Sequence, residues 1–209
     1  MEQLPHWDLD PIYPGLASPE LVRGFADLAA LAGSIDAQHR SALAPLSTTT
    51  PVADLARALG QAVELFNESS RLAGTLQVYL ESIVSTDSFD TAAARRLSEL
   101  EILQVGLRQA WTRFQAWIRT IAPVLPRVLE IPGPAHEHAF ILTETAEQAA
   151  YLMGEGEEML AAELALSGTN AWSKLQRTIT SQISVDLAVD GARQTLPMPA
   201  VINLRTHPR

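Results

Sequence analysis

Hydrophobic residues recur along most of this chain in alternating steps of three and four, the spacing that lines one face of an α-helix. The first such run follows "SPEL". Ser18 can cap a helix, Pro19 suits the first helical position, and Glu20 suits the positive end of the helix dipole. Leu21, Phe25, Leu28, Ala32 and Ile35 then fall on one face. "STTTPVADL" restarts the pattern, with Thr50 as cap and Pro51 at the first helical position. Beyond it Val52, Leu55, Leu59, Ala62, Phe66, Ser69, Ala73, Leu76, Leu80 and Ile83 form an unbroken seam. At 1.5 Å per residue this predicts a helix about 50 Å long. The small side chains of Ser69 and Ala73 thin its middle and predict close approach of a neighbouring helix.

"STDSFD" is a polar break, and Asp90 can cap a third helix. Its seam is Leu97, Leu100, Gln104, Leu107, Trp111, Phe114, Ile118 and Ile121. Two long helices with matching seams and a short link predict an antiparallel hairpin with coiled-coil-like packing. Pro123 and Pro126 end the third helix, and "IPGP" makes a loop. A fourth helix is expected from about Ala135 to Met153. The two glycines of "GEGEE" break it, because glycine disfavours helix. "EEMLAAELAL" is a short fifth helix. "SGTN" offers Asn170 as cap of a sixth, with Trp172, Leu175, Ile179 and Ile183 on one face.

Then the pattern changes. "ISVDLAVDGARQTL" is rich in β-branched residues, and Asp190–Gly191 is a type I′ turn signal, so a β-hairpin is expected. "PMPAVINLRTHPR" starts a short apolar turn. At the other end "WDLDPIYPGL" reads as an extended arm anchored by Trp7, Ile12 and Tyr13. The expected class is mainly α: a multi-helix bundle with a long antiparallel coiled-coil-like helix hairpin, plus a small C-terminal β-hairpin. The arm covers 1–17, the helical lobe 18–183, and the hairpin with its link 184–209.

Composition narrows the chemistry. With 47% hydrophobic and 19% charged residues in a chain of 209, a folded core is expected rather than disorder. The absence of cysteine excludes disulfides, thiolate metal sites and a cysteine nucleophile, and it fits the cytoplasm as the expected location. A net charge of −9 makes nucleic acid and anionic membrane surfaces poor partners. "MEQLPHWDLD" has no early apolar run and does not read as a secretory signal. No apolar run approaches the roughly 20 residues that span a bilayer.

"AHEHAF" is the one hint of metal chemistry, with His136 and His138 flanking Glu137. A zinc peptidase helix carries H-E-x-x-H, whose histidines share a face. Residues two apart on a helix diverge by about 200°. His136 and His138 therefore read as two surface histidines in the first turn of a helix, and a metal enzyme built on them is the weakest alternative. The acids Glu155, Glu157, Glu158 and Glu163 read as a solvated face near a helix start. Ser167, Ser173 and Lys174 lack the elbow that marks a serine nucleophile. Trp111, Phe114 and Trp117 sit at core spacing. No phosphate-binding or dinucleotide glycine pattern occurs. The expected catalytic, cofactor-binding and metal-ligating sets are all empty.

The stretch "YLMGEGEEMLAAELALSGTNAWSKLQRTITSQI", residues 151 to 183, resembles the oligoendopeptidase F family, zinc oligopeptidases related to thimet oligopeptidase. The likeness is carried by Tyr151-Leu152-Met153, Glu157-Glu158, Leu160-Ala161-Ala162-Glu163-Leu164, Ser167-Gly168, Ala171-Trp172 and Leu175. The start of the chain is similar too, through Trp7-Asp8-Leu9, Tyr13-Pro14-Gly15-Leu16 and Ser18-Pro19-Glu20. Gly154 and Gly156 depart from the family's pattern. The resemblance implies an N-terminal, non-catalytic lobe that walls a channel for oligopeptides. The zinc and its H-E-x-x-H helix would belong to a later catalytic domain, missing from this chain, which would be the lobe's partner. The rival expectation is a stand-alone helical interaction module, or a homodimer, without enzymatic activity.

Overall fold

Ser18 Oγ accepts the backbone N–H of Leu21 at 3.2 Å and opens helix α1, Pro19–Gln38, as its sequence predicts. The computed structural model describes residues 8–87, 89–189 and 191–206. Leu21, Leu28 and Ile35 of the predicted face are buried. One π-helical turn, His39–Leu43, prolongs α1 and carries Leu43 into the core, a feature no periodicity signalled.

Helix α2, Val52–Thr86, runs for 35 residues, about 50 Å. Its cap differs from expectation. Thr50 Oγ1 closes a turn by accepting the Ser47 N–H at 3.0 Å, so Pro51 takes the cap position with no side-chain bond. The seam is buried as predicted at Leu55, Leu59, Ala62, Leu76 and Leu80. Ala56, Ala58, Val63 and Tyr79 widen it, because α2 is covered on more than one side. Asp90 starts α3, Thr91–Ile121, by accepting the N–H groups of Ala92 and Ala93, each at 2.9 Å.

The two long helices run antiparallel. Gln104 Nε2 donates to Gln77 Oε1 at 3.0 Å, and the rings of Phe66 and Phe114 lie 5.2 Å apart. Both contacts fit a single register. α1 runs antiparallel to α2, since Leu21 packs with Leu76 at one end and Gln38 Nε2 donates to Ala58 O at the other, 3.0 Å away. An Arg113–Asp36 ion pair ties α3 to α1. The result is an up-down-up bundle.

Its core falls into two clusters. One fills the open end of the hairpin with Leu55, Leu59, Phe114, Ile118 and Ile121. Helices α4 (Leu125–Leu129), α5 (Pro134–Glu137) and α6 (Ala139–Gln148) cap it through Leu125, Val128, Ala135 and Leu142. The other lies toward the hairpin's turn and holds Tyr13, Leu21, Leu28, Leu76, Leu80 and Leu100. The Gln77–Gln104 pair lies at the level of the second cluster, on its cleft-facing edge, and half-buried Phe66 and Trp111 lie between the two clusters. Ser69 and Ala73 are buried, with Ala73 in one cluster with Leu21 and Leu28 of α1, and both also border a cleft on their other side.

The predicted fourth helix is in fact broken. His138 leaves helical geometry at φ −105° and ψ 20°, separating α5 from α6. The cause is local: its Nδ1–H donates to Pro134 O at 2.8 Å, the same carbonyl that its own amide reaches at 3.3 Å. A 3₁₀ turn, Ala149–Tyr151, then ends the segment short of Met153. Helix α7, Glu155–Ser167, follows, with the Gly154 N–H donating to Glu157 Oε2 at 2.9 Å. Helix α8, Thr169–Gln182, begins with Gly168 as cap, so Asn170 lies inside its first turn and does not cap it.

Strands β1 (Ser184–Val189) and β2 (Ala192–Pro197) form the expected antiparallel hairpin, with Ser184 opposite Pro197 and Val189 opposite Ala192. Gly191 takes the turn at φ +80°, where a side chain would be strained, while Asp190 lies outside the described residues. The apolar turn expected next is a short helix, α9 (Met198–Asn203), pinned to α8 by Met198 N–H donating to Ile183 O at 2.8 Å.

The arm is folded back rather than extended. Ile12 N–H reaches Leu9 O at 2.9 Å, which turns Ile12 outward (45% exposed) and Tyr13 inward. Leu9 and Leu16 join Tyr13 as anchors, and Trp7 lies outside the described residues. The Tyr13 ring meets Tyr79 edge-on at 5.1 Å. Gly24 admits it: a Cβ there would stand 3.1 Å from the Tyr13 hydroxyl. Tyr13→Ala should therefore cost about 3 kcal/mol in urea denaturation, as for other buried aromatic truncations, and should expose residues 8–17 to limited proteolysis.

Near the turn, Glu99 accepts from Arg95 Nε at 3.0 Å and Arg96 Nη1 at 2.9 Å, and Arg96 covers the Phe25 ring of α1. These hydrogen bonds, from Arg95 first and then Arg96, hold the Glu99 carboxyl below its ordinary range. A lowered pKa stabilises the fold above the ordinary carboxylate range and loses that effect as pH falls through the lowered value. Glu99→Gln should accordingly lower the urea midpoint slightly near pH 7 and converge with the parent chain as the pH falls through the lowered value. A constant difference at all pH values would contradict this.

Candidate functional site

Helix α8 has two sharply different faces, and they are turned the unusual way round. Trp172 is 71% exposed and Ile179 50%, with Leu175 and Ile183 exposed beside them. The polar face looks inward. Lys174 Nζ donates to Ser98 Oγ on α3 at 2.7 Å, and Arg177 Nη1 lies 3.1 Å from Glu81 Oε1 on α2. Because the ends of long side chains make these contacts, α8 stands off the hairpin.

The gap is a cleft of about 650 Å³ between α2, α3 and α8. α2 contributes Phe66, Ser69 and Ala73; α3 contributes Gln104, Arg108 and Trp111; α8 contributes Asn170, Ser173 and Gln176. One wall is a chain of hydrogen bonds: Gln104 to Gln77, Gln77 Nε2 to Glu81 Oε1 at 3.2 Å, and Arg177 to the same oxygen. Arg108 lines the cleft too, and its buried Nε and Nη2 have no hydrogen-bond partner. The Phe66 and Trp111 rings meet edge-on at 5.2 Å and form an apolar wall. The cleft is therefore lined by a half-buried guanidinium, side-chain amides and an aromatic surface, a set suited to binding a polar ligand with one apolar group.

The residues singled out in the sequence fall elsewhere, with two exceptions. Trp111 lies half-buried at the cleft wall, whereas Phe114 and Trp117 are buried in the core. Ser173 lines the cleft, and Lys174 helps to hold α8 in place. Ser167 donates to Leu164 O at the end of α7. Glu163 accepts from Gln109 Nε2 at 3.2 Å, tying α7 to α3.

His136 is exposed, and its Nδ1–H donates to Leu129 O at 2.6 Å. His138 is not the surface histidine its sequence suggested. It is half-buried; Nδ1–H donates to Pro134 O, and Nε2 accepts from Asn67 Nδ2 at 2.9 Å. Both ring nitrogens are thus engaged, and no lone pair is left for a metal. Among the described residues no three His, Asp or Glu side chains gather where an ion could be held. This donor set does not fit the zinc of the resembled family. Nor, among the described residues, is any helix long and apolar enough to cross a membrane.

Compared with protein-family models, with curated proteins and with solved structures, the chain matches none of them. Sequence reasoning missed Arg108, Gln77 and Asn170. A signal existed for the first two. Gln104 occupies a seam position, and a polar residue inside a heptad seam marks a layer where packing gives way to hydrogen bonds.

The Asn67–His138 bond links α2 to the break between α5 and α6. A double-mutant cycle of Asn67→Ala and His138→Ala should return a coupling of about 1 kcal/mol, the usual net worth of such a bond. Additive losses would show that the bond does not form in solution.

Proposed function

We propose that this chain is the N-terminal, non-catalytic lobe of an oligoendopeptidase F-like zinc endopeptidase of the cytoplasm, and that it walls one side of an oligopeptide channel. The observation that carries the reading is the outward apolar face of α8. A helix with Trp172, Leu175, Ile179 and Ile183 in water is best explained by a further body that covers them. In the proposed enzyme that body is the catalytic domain, which supplies the zinc site. The apolar residues of α9 and the turn after it add little to this face, since of Val201, Ile202 and Leu204 only Ile202 is exposed. The polar cleft behind α8 supports the same reading, because side-chain amides match the donors and acceptors of a peptide backbone.

Reading the gene on past the codon for Arg209 tests the proposal. An in-frame H-E-x-x-H is the expected result, and a frame that closes without one overturns it. The face itself can be tested on the 209-residue chain. Trp172→Arg and Ile179→Arg should each change its unfolding free energy by no more than about 0.5 kcal/mol, as surface substitutions do. A large loss, with a dimer by light scattering, would assign the face to a second copy of the chain and favour the interaction module.

A further inference from the structure

Arg108 is a half-buried cation with unmet bonding capacity. Its Nε and Nη2 are both buried and unpartnered. These two N–H groups share one edge of the guanidinium plane, the edge that takes both oxygens of a carboxylate side by side once the side chain turns it toward the cleft. Unpaired buried donors on a charged group are costly, so a structure that keeps them does so against its own stability. The acids nearby do not satisfy them. Glu81 is already held by Arg177 and Gln77. Glu101 lies two turns along α3, about 10 Å away on the axis.

We propose that the cleft is a binding site for a short peptide held by its C-terminal carboxylate on Arg108. The aromatic pair Phe66 and Trp111 would receive the last side chain, and Asn170 and Gln176 would meet the backbone. The cleft's size, about 650 Å³, suits a ligand of that scale. The chain's net charge of −9 opposes anions at a distance, so selectivity comes from contact with the fork. The proposal deepens the channel-wall reading and rests on it for the choice of a peptide over another carboxylate.

Calorimetric titration of the 209-residue chain tests it, using N-acetyl-Ala-Ala-Leu as free acid, the same peptide as C-terminal amide, and inorganic phosphate. The acid should bind, and amidation should weaken binding by about tenfold or more. Phosphate should bind more weakly than the peptide acid. Arg108→Lys, which keeps the charge but loses the fork, should weaken the acid about tenfold and leave the amide unchanged. Arg108→Met should abolish the preference for acid over amide without lowering the thermal midpoint, since it breaks no bond. Equal binding of acid and amide, no binding of either, or full affinity in Arg108→Lys would overturn the site. Phosphate binding as tight as the peptide's would also overturn it, leaving an anion site without peptide selectivity. Failure here together with an in-frame zinc helix beyond Arg209 rejects this site alone. Acid-selective binding without such a helix keeps the site and rejects the zinc-peptidase lobe.

Discussion

The antiparallel register between α2 and α3 is the constraint on which the rest of the lobe depends. Seam residues stepping by three and four keep two helices of 35 and 31 residues in contact along their length. The register then decides which residues meet at each level. It places Leu80 with Leu100 near the turn and Phe66 with Phe114 further down. It also sets Gln77 against Gln104 on the cleft-facing edge of the cluster near the turn. Slipping by one helical turn would part the two glutamines and lose their bond, a cost of about 0.5–1.5 kcal/mol. The polar layer thus discourages alternative alignments that the leucines alone would tolerate.

The same layer explains why the cleft lies where it does. Ser69 and Ala73 reduce the volume of α2, and half-buried Leu107 and Trp111 at the same level of α3 leave part of the space open. α8 then covers the gap with its polar side, because Glu81 and Ser98 offer ionic and hydrogen-bonding partners and little apolar surface. Burying polar groups against polar groups is tolerable when they are paired, and Lys174 and Arg177 are paired. Arg108 is the exception, and it lies in the cleft.

Much of the fold is legible in the sequence, because its signals are local or periodic. Ser18 and Asp90 cap the helices they precede, and the seams of α2 and α3 predict burial residue by residue. Thr50 and Asn170 have the chemistry of caps but not their positions: a turn claims Thr50, and Gly168 takes the role one residue before α8. The break at His138 depends on which carbonyl a ring reaches, which composition does not encode. The site is harder to read. Periodicity assigns Trp172, Leu175, Ile179 and Ile183 to one face but does not say whether that face looks in or out. Arg108 lies one residue off the seam, and its isolation becomes visible only when three helices are placed together.

The division of the core has a mechanical side. α2 and α3 are stiff rods clamped at each end by close-packed leucines and aromatics, with Ser69, Arg108 and half-buried Trp111 at the waist. Under a bending load such a pair yields first where packing is thinnest, and the cleft lies there. Flexing the rods would change the distance from Arg108 to α8 without loosening either clamp. A strain applied at one end of the lobe would then be felt as a change in aperture near its middle.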